Sequence, residues 1–84
     1  MYFVYVIKCG DGTLYTGIAK DVNRRFLEHK IGKGAKYTRA RKVVQVLYSE
    51  KYNSKSEALQ REAQIKGWRR EKKLSLIKFG KPII

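Results

Sequence analysis

The chain has 84 residues, of which 20 are Lys or Arg and 7 are Asp or Glu, so its formal net charge is +13. This length fits one domain over residues 1–84, and the longest apolar run has six residues, far short of the ~20 that a membrane span needs. The single cysteine, Cys9, excludes an internal disulfide framework and indicates a reduced, cytoplasmic protein, and with the single histidine it provides too few ligands for a structural zinc site.

The first two predicted elements are strands joined by a tight turn. Residues 2–8 are mostly aromatic or β-branched and have apolar side chains on both faces, which is typical of a central strand that is covered on both sides. Gly10-Asp11-Gly12 favours a turn, and residues 13–19 then form the second strand of a hairpin.

The length of the hairpin loop decides where two tyrosines point. With a three-residue loop, Tyr5 lies opposite Gly17, and the phenols of Tyr5 and Tyr15 point to the same face. With a two-residue loop, the phenols lie on opposite faces. The missing side chain at Gly17 leaves room beside Tyr5 for a ligand backbone or another ring, although aromatic core packing also explains the tyrosines.

The rest of the chain contains helices and one more strand. Asp21 and Ser54 are good N-cap residues, and Ser54 with Glu57 has the spacing of a capping box. The predicted elements are a helix over 22–31, a basic loop over 32–42, a strand over 43–50, a helix from the Ser54 cap to about residue 66, and a helix over 70–79 with Leu74 and Ile77 facing inward. The order β-β-α-β-α-α predicts an α+β domain, in which a small three-stranded antiparallel sheet is flanked by three helices and the strand order is left open.

Glu62 lies where an ordinary surface glutamate would not. At 100° per residue, its side chain falls within the apolar arc of Ala58 and Leu59 on the second predicted helix. An ionised carboxylate in that position needs a partner or a metal ion. Two interpretations stay open: an ion pair with Lys66 one turn later, or a catalytic or metal-binding role.

Arg25 and His29 are one turn apart on the first predicted helix. They border the predicted core stripe of Val22, Phe26 and Leu27. A neutral histidine accepts a proton near pH 7, and an arginine binds a phosphate through two parallel hydrogen bonds. The alternative is a solvated helix edge without a chemical role.

The other carboxylates are placed for other purposes. Asp11 lies in a turn, and Asp21 and Glu57 are helix caps. Metal chemistry would therefore use one ion bound by Glu62, with water and a substrate phosphate as the remaining ligands. Mg²⁺ accepts that arrangement, and Mn²⁺ is the alternative ion.

The positive charge is concentrated in two segments. Residues 30–42 hold six cations and no acid, and residues 61–73 hold six more against two acids. Such segments favour a polyanionic partner, with nucleic acid first and an anionic membrane surface second, and a solvated basic surface is the alternative. The candidate nucleic-acid-binding residues are Lys33, Lys36, Tyr37, Arg39, Arg41, Lys66, Arg69 and Arg70, among which Tyr37 could stack on a base.

These residues, in this order, resemble the GIY-YIG nuclease superfamily. Phe3-Val4-Tyr5 corresponds to the Gly-Ile-Tyr element, and Tyr15-Thr16-Gly17 corresponds to the Tyr-Ile-Gly element ten residues later. Arg25 and His29 match an arginine and the His or Tyr that follows it by four residues on the family's helix. Glu62 matches the family's metal-binding glutamate on a later helix.

The resemblance covers about residues 2–78, and the run 32–39 is similar to that of the small stand-alone bacterial branch. Two departures matter. Phe3 stands where the family has the first glycine, and the further polar residue that some relatives carry after the glutamate helix has no asparagine counterpart here. The fold that the resemblance implies agrees with the order predicted from the residues.

The resemblance implies Mg²⁺-dependent hydrolysis of a DNA phosphodiester bond. Glu62 would bind the ion, and Arg25 would stabilise the charge that develops on the phosphoryl oxygens. Tyr5, Tyr15 and His29 would position and deprotonate the attacking water. Which of the three is the base stays open, with His29 favoured because its ordinary pKa needs no shift.

A small basic site is better suited to single-stranded or branched DNA than to base-specific recognition of a duplex. We expect such a substrate in DNA repair or recombination. We expect a monomer or weak dimer, with a protein partner as a possible source of specificity. One alternative is a non-catalytic nucleic-acid-binding module, for DNA or RNA, that keeps the fold. Another is a small basic protein associated with RNA or the ribosome.

Overall fold

The computed structural model describes residues 1–33 and 41–80. Within these ranges the elements follow the predicted order β-β-α-β-α-α. They are β1 (Tyr2–Cys9), β2 (Leu14–Ala19), α1 (Val22–Lys30), β3 (Val43–Tyr52), α2 (Lys55–Lys66) and α3 (Arg70–Phe79). The predicted boundaries lie within two residues of the observed ones, and most of the predicted basic loop over 32–42 lies outside the described residues.

The sheet is antiparallel in the order β2-β1-β3, so the first strand is the central one. Its position explains the apolar side chains on both of its faces. Tyr5 pairs with Gly17 and Ile7 pairs with Tyr15, which is the register of a three-residue turn over residues 10–12. Of the two loop lengths that the sequence leaves open, the three-residue loop is therefore the observed one, and both phenols lie on one face.

Helices cover both faces of the sheet. On one face, Val22 and Phe26 of α1 pack against a buried cluster of the sheet residues Tyr5, Ile7, Cys9 and Val43. On the other face, Val4 of β1 packs with residues of α2 and α3, which are Ala58, Ile65 and Leu76. Each face of β1 thus contributes to its own core cluster.

The inward faces of two helices differ from the predicted ones. In α1, Leu27 is 59% exposed, and His29 takes the inward position with only 2% of its surface exposed. Val22, Phe26 and His29 are spaced i, i+4, i+7, so they share one face that leaves Leu27 outside. In α3, Leu74 is 40% exposed, and Leu76 is the leucine that enters the core.

Side-chain caps fix the starts of two helices. Asp21 Oδ1 accepts a hydrogen bond from the backbone N–H of Arg24 at the start of α1. The Ser54 hydroxyl accepts one from the backbone N–H of Glu57. It also donates one to the Glu57 carboxylate, so both hydrogen bonds of this cap join the same two residues. Among the described residues, no helix combines the length and the apolar character that crossing a bilayer requires.

Candidate active site

Tyr5 and His29 meet in the core between β1 and α1. The Tyr5 hydroxyl lies 2.9 Å from His29 Nε2, within a hydrogen bond, and the two residues are 1% and 2% exposed. Tyr15 completes an aromatic trio, because its ring centroid lies 5.2 Å from that of His29 and 6.3 Å from that of Tyr5. Tyr15 is half-buried, so it is the member of the trio that reaches the surface.

The surroundings keep Tyr5 and His29 neutral at pH 7. Burial, followed by the neighbouring Tyr15, raises the pKa of Tyr5 to about 12, although the Arg25 guanidinium opposes the rise. Burial and then the positive charge of Arg25 lower the pKa of His29 below its usual 6.5. The hydrogen bond therefore joins a protonated phenol to an unprotonated imidazole.

Arg25 lies beside the buried pair of Tyr5 and His29, closer to the surface. Its positive charge opposes the rise of the Tyr5 pKa, and its Nη1 is 3.1 Å from Glu28 Oε1. The Arg25 and Glu28 side chains are 35% and 38% exposed, and an ion pair with that exposure contributes only ~0–1 kcal/mol. Arg25 can therefore leave Glu28 for a phosphate at little expense in stability.

Gly17 allows the Tyr5 ring to lie against β2. A Cβ at this position would come within 2.5 Å of the Tyr5 hydroxyl oxygen and 2.7 Å of Tyr5 Cζ. The space that the sequence predicts beside Gly17 is thus filled by the Tyr5 ring itself. Close approach, rather than an unusual backbone conformation, is what requires glycine here.

Glu62 lies on α2, in the helix layer that covers the other face of the sheet from α1. Its side chain on α2 is 17% exposed, and its Oε2 lies 3.3 Å from Lys66 Nζ. The ion pair weighed in the sequence is therefore present. After burial and Tyr15, the negative charge of Glu62 is among the minor causes that raise the pKa of Tyr5.

A divalent cation fits Glu62 only as one ion with one protein carboxylate. No three His, Cys, Asp or Glu side chains among the described residues are grouped to hold an ion together. Mg²⁺ is commonly bound by one or two carboxylates, with water and substrate phosphate as the other ligands. Lys66 is 51% exposed, so its flexible ammonium group can move aside when an ion binds.

A polar cluster around Glu50 has no counterpart in the sequence prediction. Glu50 Oε1 accepts hydrogen bonds from Arg61 Nε at 2.6 Å and from the Tyr52 hydroxyl at 2.7 Å, and Oε2 accepts one from the Tyr48 hydroxyl. Burial alone would raise the pKa of Glu50, but these bonds outweigh it and hold the pKa below its usual value. The signal in the sequence is the alternation of Tyr48, Glu50 and Tyr52, which places all three on one face of a strand.

The two basic segments meet at the hairpin turn. Arg41 Nε forms an ion pair with Asp11 Oδ2 at 3.2 Å, and Arg70 Nη1 donates to the Gly12 carbonyl oxygen at 2.8 Å. The predicted nucleic-acid-binding residues Arg41 and Arg70 thus both contact this turn. Tyr15 follows the turn closely, so the meeting point lies at the same end of the sheet as the aromatic trio.

The other predicted nucleic-acid-binding residues divide into two groups. Lys33, Lys66 and Arg69 are exposed, and Lys66 also pairs with Glu62 as described above. Lys36, Tyr37 and Arg39 lie outside the described residues. The structure therefore tests the placement of only part of the predicted interface.

Comparison with known proteins gives independent findings. A family model described as the GIY-YIG catalytic domain matches residues 1–75. A UPF0213 protein of Staphylococcus epidermidis is 56% identical over 79 residues, which are 94% of this chain and 96% of that protein. A UPF0213 protein of Staphylococcus aureus is 58% identical over 77 residues, which are 92% of this chain and 94% of that protein.

Two solved structures are also similar. The solution NMR structure of a UPF0213 protein from Bacillus halodurans has 42% sequence identity and a TM-score of 0.59, and the match covers 93% of this chain and 84% of that one. A solution NMR structure of an E. faecalis protein has 39% identity and a TM-score of 0.62, with 92% and 82% covered. These matches extend over nearly the whole chain, as the resemblance in the sequence does.

Proposed function

Because the chain belongs to the GIY-YIG family, a family of nucleases, we propose that it is an endonuclease that hydrolyses DNA phosphodiester bonds with one Mg²⁺ or Mn²⁺ ion. The observation that carries the proposal is the hydrogen bond between the neutral Tyr5 and His29, with the partly exposed Arg25 beside this pair. A proton acceptor and a phosphate-binding cation are thereby adjacent. Glu62, whose negative charge adds to the raised pKa of Tyr5, would provide the carboxylate for a metal ion.

In the proposed reaction, His29 Nε2 is the final proton acceptor. His29 and Tyr5 are both almost completely buried, so the attacking water would need an opening beside the pair, and Nε2 would act through Tyr5. The Tyr5 hydroxyl, 2.9 Å away, would take a proton from the water while its own proton passes to Nε2. Tyr15, which is half-buried, would line the opening through which the water enters and would help to orient it.

Arg25 and Glu62 would act on the phosphate from two sides. The Arg25 guanidinium would donate two hydrogen bonds to phosphoryl oxygens, an interaction that strengthens as negative charge grows in the transition state. Glu62 would hold the cation, which supplies positive charge to the phosphate when it is bound. Lys66 would exchange its contact with Glu62 for one with the DNA backbone.

We propose single-stranded or branched DNA as the substrate. The exposed cations Lys33, Lys66 and Arg69 are long side chains suited to phosphate contacts, which position a strand without reading its bases. Selectivity for the shape of the substrate, in repair or recombination, fits such an interface. A protein partner that sets specificity and a monomeric or weakly dimeric state belong to the same proposal.

The direct test is cleavage of end-labelled single-stranded, duplex, flap and four-way DNA with Mg²⁺ or Mn²⁺. Wild type is expected to cut at least one of these substrates, with a preference for single-stranded or branched forms. Glu62→Gln is expected to bind DNA with undiminished affinity but to lose turnover. Glu71→Gln, which makes the same charge change on the exposed start of α3, is the matched control and should cut like wild type.

The ion pair between Glu62 and Lys66 supports a second candidate function. At 3.3 Å, the lysine already compensates the carboxylate without a metal ion. A non-catalytic nucleic-acid-binding module would use the fold in that form. If wild type and Glu62→Gln bind DNA equally and neither cuts any substrate with either ion, the binding module replaces the nuclease as the better explanation.

A further inference from the structure

The guanidinium of Arg61 is held on several sides. Besides its bond to Glu50, its Nη1 donates to Gln64 Oε1 at 2.7 Å, and its Cζ lies 5.0 Å from the centre of the Trp68 ring. The Arg61 and Glu50 side chains are only 21% and 17% exposed. Such a pair is less screened by water than a surface ion pair and has a defined geometry.

Arg61 and Glu62 leave α2 in different directions. They are consecutive on α2, so their side chains leave the helix axis ~100° apart. Arg61 reaches Glu50 on β3, which is one edge strand. Glu62 points another way, toward Lys66 one turn later on the helix, and its negative charge is a minor cause of the raised pKa of Tyr5.

Apolar packing alone does little to fix the rotation of α2 about its axis. Its buried residues are Ala58 and Ile65, two turns apart, and one of them is small. Leu59 is 42% exposed, and Ala63 is exposed as well. A helix with so narrow an apolar contact can rotate over the sheet unless a directional bond holds it.

We infer that Glu50 and Arg61 are positioning residues that set the rotation of α2 about its axis and thereby fix the direction in which the Glu62 carboxylate points. The inference rests on the proposed function, because it assigns the polar cluster a role in holding the metal ligand. Tyr48 and Tyr52 serve the same role by fixing both oxygens of Glu50. None of these four residues contacts the substrate in this scheme.

Even a small rotation of α2 would displace the Glu62 carboxylate far enough to affect metal binding and the rate. Side-chain ends lie ~5–6 Å from a helix axis, so a rotation of ~15° would move the Glu62 carboxylate by about 1.5 Å. Misplacement of a catalytic group by ~1 Å can lower a rate ~100-fold. Loss of groups that orient a metal ligand typically weakens metal binding ~10- to 100-fold.

The test compares Glu50→Gln, Arg61→Gln and the double variant with Val43→Ala. Val43 lies in the core cluster on the α1 side, so its truncation lowers stability without touching α2. Residual dipolar couplings of the α2 amides give the orientation of the helix in the folded protein, without metal or DNA. Mn²⁺ titration followed by electron paramagnetic resonance gives the affinity for the ion, with Glu62→Gln as the reference for its loss.

We expect both single variants to shift the α2 couplings relative to the sheet and to weaken Mn²⁺ binding at least tenfold. The double variant should be no worse than either single one, because the two residues act as a pair. Val43→Ala should change neither quantity. If Glu50→Gln does not fold, Tyr48→Phe and Tyr52→Phe, which keep the carboxylate, provide milder perturbations with smaller shifts in the same direction.

Two outcomes overturn the inference. One is an unchanged set of α2 couplings in folded Glu50→Gln and Arg61→Gln; the other is unchanged Mn²⁺ affinity when Glu62→Gln abolishes binding. Failure of the proposed function would be seen separately, in the wild-type protein. Shifted couplings in a protein that neither binds Mn²⁺ nor cuts DNA would support the positioning role and overturn the nuclease.

Discussion

At the scale of single residues, the site depends on a hydrogen bond between two neutral groups in a dry environment. Tyr5 and His29 are almost completely buried, and Gly17 provides the space that lets the Tyr5 ring reach the histidine. Small displacements should therefore have large effects on the rate. A bulkier residue at position 17 and a change in the protonation of His29 are the two most direct perturbations.

Gly17→Ala is expected to lower the cleavage rate by about 100-fold. The new methyl group would overlap the Tyr5 hydroxyl, at 2.5 Å, and would push it away from His29. The overpacking should also lower the free energy of unfolding by ~1–3 kcal/mol. Gly67→Ala is the control, because a Cβ there meets its nearest atom at an ordinary 3.5 Å. A wild-type rate in folded Gly17→Ala would contradict the role assigned to Tyr5.

The cleavage rate should fall on the acid side of neutrality. His29 must be unprotonated to accept a proton, and burial and Arg25 place its pKa below 6.5. Activity should therefore persist at pH 6.5 and decline as the pH falls through the lowered pKa of His29. Tyr5, with a pKa of about 12, stays protonated throughout this range. Single-turnover rates from pH 5 to 9 provide the test, and a flat profile would exclude His29 as the acceptor.

At the scale of elements, the sequence predicts where helices begin and end better than which way they face. Asp21 and Ser54 mark two helix starts correctly because capping is local chemistry. The inward face depends on contacts with distant strands, which a helical wheel does not contain. In α1, the sequence analysis counted Leu27 into the core stripe and placed His29 at its border, whereas Leu27 is exposed and His29 is buried.

In the candidate site, too, the sequence predicts local relations between residues better than contacts between distant elements. The spacing of Arg25 and His29, together with the turn length that aligns Tyr5 and Tyr15, brings these side chains together as expected from the sequence. The cluster around Glu50 was missed, because its partner Arg61 lies eleven positions away on another element. A contact of that kind follows from how α2 crosses the sheet, and no local pattern encodes it.

Ser54→Ala should destabilise the protein by about 1 kcal/mol, within the usual range of ~0.5–2 kcal/mol for a lost N-cap. The change removes the hydrogen bond to the Glu57 N–H and the reciprocal contact with the Glu57 carboxylate. Ser56→Ala, an exposed position inside α2, is the control and should be neutral or slightly stabilising. Urea unfolding at equilibrium measures both. Equal stability of the two variants would mean that the cap does not hold the helix start.

At the scale of the whole molecule, the two basic segments both reach the turn between β1 and β2. Arg41 and Arg70 come from the two basic segments, and both contact the turn between β1 and β2. A strand of DNA drawn to either segment would therefore arrive beside Tyr15. The turn thus links the surface that attracts the substrate to the core pair that would act on it.

DNA affinity should fall steeply with salt, because each neutralised phosphate releases counterions. Arg69→Gln, near the turn, should reduce the slope of log K against log salt by ~0.7 for a single strand or ~0.9 for a duplex. Lys78→Gln, in the last turn of α3, is the control and should leave the slope unchanged. Fluorescence anisotropy over a salt series measures both, and identical slopes for the two variants would place the DNA elsewhere.

The central position of β1 has a consequence for biosynthesis. β2 follows β1 after a short turn, but β3 begins at Val43, 34 residues after β1 ends at Cys9, and Tyr2 pairs with Tyr52. On the ribosome the β1–β2 hairpin therefore emerges before β3 and the helices, with one edge and both apolar faces of β1 still without partners. A lone hairpin is marginally stable, and an unpaired apolar edge invites association with other chains. The strand that is best protected in the finished protein is thus the one most in need of a chaperone while the protein is being made.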